Sequence, residues 1–302
     1  MKNKLIEVLI FLSFVSFIIN PNLIKTEVLN GLNIFITVLF PSIFPFFIIS
    51  DLLLNYNFHI TLNKIFNKIN YFLFHTSSIS NYVIIMSIFS GFPSGSKYIK
   101  SLYDKNMLSL DEANYLITFT HFSNPLFLLV LSTTLLNKSL SYLLLFSHII
   151  SNFIIAFIIR PKKIENKKEI EKFYSVSFSK TLKASINNSI SLLTIILGTT
   201  CIFYFISGFI THCFNLTGIN KILINGFFDL TKGINSINMI NTNNLFKGIL
   251  ILTFISFGGI NVHMQVLSIL ENTKISYKNF LFGRISQAAI SVLIYYLLFN
   301  IF

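Results

Sequence analysis

Tryptophan is absent from this chain, and charge is scarce: only 11% of its 302 residues are Asp, Glu, Lys or Arg. Soluble globular domains carry about 25% charged residues. A soluble fold is therefore excluded, and 53% hydrophobic residues with a mean hydropathy of +0.71 make this a polytopic membrane protein. Acidic residues are the scarcer sign, 11 against 23 basic, for a net charge of +12. The basic residues lie between apolar runs and form no stripe on a soluble domain. They therefore read as topology signals and headgroup contacts, with no nucleic-acid partner. Cysteine is limited to Cys201 and Cys213. That spacing excludes a disulfide framework and a redox motif, and His212 beside Cys213 does not make a metal site. A Walker loop, a Rossmann fingerprint, a Ser-His-Asp order, a His-Glu-x-x-His pair and paired intramembrane aspartates are all missing. The expectation is no enzyme, no metal and no cofactor. Phe is abundant at 35 residues, which with the many Asn, Ile and Lys reflects an AT-rich genome more than a function.

Apolar segments run over Leu5–Ile19, Val28–Leu54, Asn81–Phe92, Ala113–Leu136, Leu140–Ile159, Ile186–Ile210, Leu245–Phe257 and Leu281–Phe302. A spanning helix needs about 20 apolar residues, so the sequence predicts an all-α membrane protein with about 6–8 helical spans. Asn81–Phe92 and Leu245–Phe257 are too short to cross alone. Leu5–Ile19 has the look of a signal peptide, but Ile19-Asn20-Pro21-Asn22 offers no cleavage site, so it reads as an uncleaved first span from a cytoplasmic N-terminus. In the stretch from Arg160 to Lys183, the cations Arg160, Lys162, Lys163, Lys167, Lys168, Lys172, Lys180 and Lys183 outweigh Glu165, Glu169 and Glu171. That stretch should be cytoplasmic. An even number of crossings must then precede it, so Asn81–Phe92 should turn back as a re-entrant hairpin. The expected organisation is a first span and outer loop (1–27), a first repeat with a connecting span (28–159), a basic cytoplasmic linker (160–183) and a second repeat (184–302). Aligning Gly91 with Gly258 also aligns Ser101 with Ser268, Asp104 with Glu271 and Ser109 with Ser276. Parity makes such repeats inverted, as in many secondary transporters. Inversion in that register would put Lys274, Lys278 and Arg284 outside, against the positive-inside tendency, which leaves the second half open by one crossing.

The two short runs end in breaks: Gly91-Phe92-Pro93-Ser94-Gly95-Ser96-Lys97, and Gly258-Gly259-Ile260-Asn261-Val262-His263. Unwound backbone at membrane depth is tolerated only inside protein or beside a wet cavity, and paired breaks in two halves point to a transport site. Gly91 and Gly95 permit close approach, and Pro93 stops a helix. A helix starting near Ser94 or Ser96 presents a positive end suited to carboxylate or phosphate, and Lys97 adds a full charge. The plain alternative is a loop with Lys97 at the headgroups. Thr120-His121-Phe122-Ser123-Asn124-Pro125 interrupts the following span, where Ser123 and Asn124 either face a cavity or bond between helices. Asn261, His263 and Gln265 are uncharged groups suited to a planar polar solute. Pro41 and Pro45 kink the second span. Asp51 and Asp229 are candidates for a coupling proton or cation, with a headgroup location as the alternative.

Pro41-Ser42-Ile43-Phe44-Pro45-Phe46-Phe47 with Ser50-Asp51-Leu52-Leu53, the Gly91–Lys97 break, Leu102-Tyr103-Asp104-Lys105, Asn124-Pro125-Leu126-Phe127 and Phe257-Gly258-Gly259 through Gln265-Val266 together resemble the YlbJ (SpoVV) family of sporulation integral membrane proteins, related to the nucleoside-transporter Gate fold. Departures are Asp51 in place of Glu, Ser96 in place of Ala, and His121 near an otherwise Asn-rich site. The resemblance covers nearly the whole chain. It implies a transporter in the outer forespore membrane moving dipicolinic acid, a planar dianion, into the forespore. The binding residues would then be Gly91, Pro93, Ser94, Gly95, Ser96, Lys97, Ser123, Asn124, Gly258, Gly259, Asn261, His263 and Gln265. The rival expectations are a carrier of another small solute, such as a nucleoside, and a non-transporting scaffold of a sporulation complex.

Overall fold

A computed structural model of the chain describes residues 4, 7, 11, 14, 15, 18–162 and 177–301. The expected first span falls largely outside them, as do residues 163–176 of the basic linker. Among the described residues every regular element is a helix. α1 (Pro21–Ile34) passes through one π-helical turn (Phe35–Leu39) into α2 (Phe40–Asn55), giving one apolar rod of 35 residues. α3 (Phe58–Phe74), α4 (Ser80–Ser90), α5 (Ser94–Asp104), α6 (Leu110–Phe119), α7 (Pro125–Ser132) and α8 (Lys138–Ile158) complete the first half. The second half holds α9 (Phe178–Cys213), α10 (Gly218–Phe228), α11 (Leu230–Ser236), α12 (Asn244–Phe257), α13 (Gly259–Leu270) and α14 (Tyr277–Leu298).

The helices long and apolar enough to cross a bilayer are Pro21–Asn55, Lys138–Ile158, Phe178–Cys213, Asn244–Leu270 and Tyr277–Leu298. Their outer faces carry Phe146, Ile158, Leu297 and other exposed apolar side chains, as a lipid-facing surface requires. Tight turns join neighbouring helices through Asn57, Asn106, Asn215 and Asn272, all at positive φ. Asn is among the few side chains that take this conformation cheaply, so the Asn-rich composition has a structural use.

Two pairs of short helices are hairpins. α4 and α5 lie antiparallel, with Tyr82 edge-on to Tyr98 at 5.5 Å and Ser90 Oγ 2.8 Å from the Tyr98 hydroxyl; Gly91, Phe92 and Pro93 form the tip. At about 1.5 Å per residue, α4 reaches about 16 Å, half of a ~30 Å hydrocarbon core. α10 and α11 lie antiparallel in the same way. Asn225 donates to Ser236 at 2.8 Å, and Gly226 and Gly233 meet backbone to backbone where a methyl group would overlap. The tip of this second hairpin is Asp229. The first hairpin is rooted at the Leu110 end of the bundle, where Glu112 holds Ser77 and Ser80. The second is rooted at the opposite end, where Lys221 shares a polar pocket with Leu23, Glu27 and Asn215.

This arrangement changes the second half expected from sequence. Leu245–Phe257 does not turn back at Gly258: α12 and α13 meet end to end across that one residue, and the hairpin lies earlier, around Asp229. Aligning Gly91 with Gly258 therefore pairs a hairpin tip with a helix joint. The conflict over the basic residues disappears with it. Ser276 N donates to Asn114 Oδ1 at 2.7 Å, so the α13–α14 turn with Lys274 and Lys278 lies at the Leu110 end. Arg160 sits at that same end, because His75 Nδ1 donates to the Pro161 carbonyl at 2.7 Å. Arg284 lies at neither end but is fully buried.

Candidate functional site

The first hairpin tip rests against the break between α6 and α7. Gly91 has φ 72° and ψ 179°, and a Cβ there would lie 2.6 Å from Asn124 N. Only glycine permits both the conformation and the approach. Asn124 secures both sides of the contact. Its Oδ1 accepts from Leu126 N (2.8 Å) and Phe127 N (3.2 Å), capping α7, while its Nδ2 donates to the carbonyls of Phe89 in the hairpin and Ser42 in α2. Pro93 precedes α5, Ser94 Oγ turns back to the Gly91 carbonyl, and Gly95 leaves room for the Thr120 carbonyl. Ser123 N donates to His148 Nε2 at 2.8 Å. The side-chain oxygens of Ser96 and Ser123 are buried without a hydrogen-bond partner.

The second tip rests against the joint between α12 and α13. A Cβ on Gly259 would lie 3.2 Å from both Leu230 N and the Phe228 carbonyl. Asp229, 1% exposed, caps α11 through Oδ1, which accepts from Thr231 N (2.8 Å), the Thr231 hydroxyl and Lys232 N (3.1 Å). Its other oxygen accepts from Asn261 Nδ2 at 2.5 Å. Gln265 Nε2 donates to Asn261 Oδ1 (2.8 Å) and Thr199 (3.1 Å), and Asn261 also reaches Thr200. The positive end of α11 is thus occupied by the chain's own carboxylate. His263 turns away: its Nε2 donates to the Phe257 carbonyl (3.0 Å), and its Nδ1 accepts from the Tyr277 hydroxyl (2.8 Å).

Between the tips lies a small cavity of about 20 Å³. Phe92 and Phe127 come to it from the first half, and Asp229, Thr231, Asn261 and Gln265 from the second, with Leu39 of the π turn and Thr200 of α9 beside them. Of the residues singled out in the sequence, Asn261, Gln265 and Asp229 line this cavity, whereas the polar residues of the first break, Ser123, Asn124, Gly258, Gly259 and His263 do not. Lys97 is ion-paired with Asp51 at 3.1 Å, joining the first hairpin to α2. Lys232 pairs with Glu27 at 2.6 Å, joining the second hairpin to α1. Asp51 and Asp229 are both buried within the protein.

The comparison that bears on this architecture is with the sporulation integral membrane protein YlbJ of Bacillus subtilis, 25% identical over an alignment covering 90% of this chain and 76% of the relative. The chain is a distant homologue of YlbJ. No family model matches it, and no solved structure matches it. The similarity to YlbJ agrees with what the helices require, an integral membrane protein.

Sequence reasoning missed the aromatic walls Phe92 and Phe127 and the threonines Thr200 and Thr231, which carry no signal of their own in a Phe-rich, Thr-containing chain. It also passed over Arg284 as a site residue. The signal was present: a cation inside the apolar run Leu281–Phe302, three residues from its start.

Proposed function

We propose that this chain is a membrane transporter that passes a small planar solute between the two hairpin tips, and that it works in sporulation, in the outer forespore membrane. The observation that carries this reading is the convergence of two hairpin tips, rooted at opposite ends of the bundle, on one cavity beside two helix breaks. The order long helix, hairpin, broken helix, span occurs twice, over 21–158 and 178–298, with α3 added in the first half. On this reading the two halves are inverted repeats joined by the basic cytoplasmic linker. Ligand pockets measure about 300–1,000 Å³, so a cavity of about 20 Å³ takes solute only after the tips part. The ion pairs Lys97–Asp51 and Lys232–Glu27 each tie one tip to the α1–α2 rod, so opening on either side breaks one of them.

Dipicolinate is the first solute to test. Phe92 and Phe127 offer faces to a planar ring, and Asn261 and Gln265 offer amide groups to its edge. Asp229 opposes an anion, so carriage of a dianion calls for a proton or cation on Asp229, which makes that residue the coupling site. The same carboxylate and amides favour a second reading, a neutral nucleoside-like solute. Uptake of labelled dipicolinate into proteoliposomes, with nucleosides as competitors, separates the two. Saturable uptake resistant to nucleosides supports dipicolinate, and uptake inhibited by nucleosides supports the second reading. No uptake under any proton or sodium gradient, from folded protein, refutes transport.

A further inference from the structure

Arg284 is fully buried, and among the described residues no carboxylate pairs with it. Its partners are oxygens freed by the two helix breaks. Nη1 donates to the His121 carbonyl (2.9 Å) and the Ser256 carbonyl (3.4 Å), and Nη2 to the Thr118 carbonyl (3.3 Å). Thr118 lies in the last turn of α6, His121 in the break after it, and Ser256 in the last turn of α12. Asn152 Oδ1 (3.2 Å) and Gln287 Oε1 hold the guanidinium in place. Interrupting a helix leaves its last carbonyls without amide partners and concentrates negative partial charge there. Water cannot serve those carbonyls at membrane depth. One planar fork of donors serves both breaks at once, a geometry a lysine ammonium does not reproduce. Gly283 makes the approach feasible, because a methyl group there would collide with the Thr118 carbonyl.

We propose that Arg284 is a positioning residue for the solute site: by bonding both broken helices it fixes the spacing between Asn124 and Asn261, and with it the distance between the two hairpin tips. The inference rests on the transport reading for its kinetic arm only.

The test compares wild type, Arg284→Lys and the milder Asn152→Ala, which removes one anchor of the guanidinium. Uptake of labelled dipicolinate is measured in proteoliposomes. Spin-label distances between Thr133→Cys, at the C-cap of α7, and Met264→Cys in α13, both exposed, are measured with Cys201 and Cys213 replaced by Ser. Arg284→Lys is expected to raise KM about tenfold while Vmax changes far less, and to broaden or shift the inter-label distance. Asn152→Ala should move both readouts the same way by less, and it carries the test if Arg284→Lys does not fold. A purely structural arginine would reduce the amount of folded protein and leave KM unchanged in what survives. An unchanged distance overturns the inference, as does a changed distance with an unchanged KM. If wild type takes up no dipicolinate, the proposed solute falls, and the distance measurement alone decides whether Arg284 fixes the spacing.

Discussion

Replacing Gly91 by Ala tests the contact between the first hairpin tip and Asn124. The backbone there has φ 72° and ψ 179°, a region open essentially to glycine alone. Forcing alanine into it costs about 1–3 kcal/mol. The added methyl would also lie 2.6 Å from Asn124 N and 2.8 Å from Asn124 Cβ, against the ~3.5–4.0 Å of a relaxed contact. Asn124 cannot yield, since both ends of its amide are already bonded, so the tip must lift; overpacking of this kind costs about 1–3 kcal/mol more. The combined penalty is about 2–6 kcal/mol, and even its lower end shifts a folding equilibrium roughly 30-fold. Gly198→Ala is the matched control. It lies inside α9 with nothing within 4 Å of its would-be Cβ, and a helical alanine there should stabilise by about 0.5–1 kcal/mol. Heating both variants in detergent at one fixed rate, then measuring the monodisperse fraction, should place Gly91→Ala below wild type and Gly198→Ala at or above it. A Gly91→Ala protein with wild-type thermal stability would refute the packing of this tip against the break.

Glu112 is 1% exposed, and one of its oxygens accepts from Ser77 N, Ser77 Oγ and Ser80 Oγ at 2.6–2.7 Å. Glu112→Ala should therefore cost about 1.5–3 kcal/mol and loosen the root of the first hairpin, read as a lower midpoint in the same heating assay. Lys97→Ala and Asp51→Ala should each slow dipicolinate uptake and lower stability, while the double variant recovers much of the stability, because the cost of either single change lies mainly in stranding the other charge. Additive losses in that cycle would show the pair to be incidental. Asp229→Asn preserves the capping oxygen but removes the charge and turns an NH2 toward Asn261 Nδ2, so folding holds only if the Asn261 and Gln265 amides flip; the dependence of uptake on a proton or sodium gradient should disappear.

What the sequence revealed follows from how each feature is encoded. Helices, their apolar lengths and the first break were legible, because Gly91, Pro93 and Gly95 are residues whose backbone behaviour is local. The second hairpin was hidden because its arms meet through Gly226 and Gly233, and its tip is a single residue, Asp229, in an ordinary polar stretch. Gly258-Gly259 looked like a second tip, but two positive-φ glycines also join helices end to end. Whether the chain reverses at such a break is not written in its glycines, and the segment that covers Gly259 is residues 228–230, far from it in sequence. The pairing of Asp51 with Lys97 was hidden for the same reason: each reads as a lone charge in the sequence, and they lie 3.1 Å apart in the fold.

The two tips have matching placement and different chemistry. The first presents Gly91, Phe92 and Pro93, with no charge, and its Asn124 partner spends its amide on backbone groups. The second presents a buried carboxylate whose free oxygen is held by Asn261 beside the cavity. A solute between them would meet an aromatic wall on one side and an ionisable one on the other. On the transport reading, coupling would enter from the Asp229 side, where a proton or cation would change the charge the solute meets. The first hairpin would act on the solute through shape, and its contribution should show as selectivity among planar rings. Exchanging Phe92 for Leu should accordingly weaken discrimination between dipicolinate and smaller pyridine carboxylates while leaving the gradient dependence intact; loss of that dependence in Phe92→Leu would mean that the two tips do not divide the work.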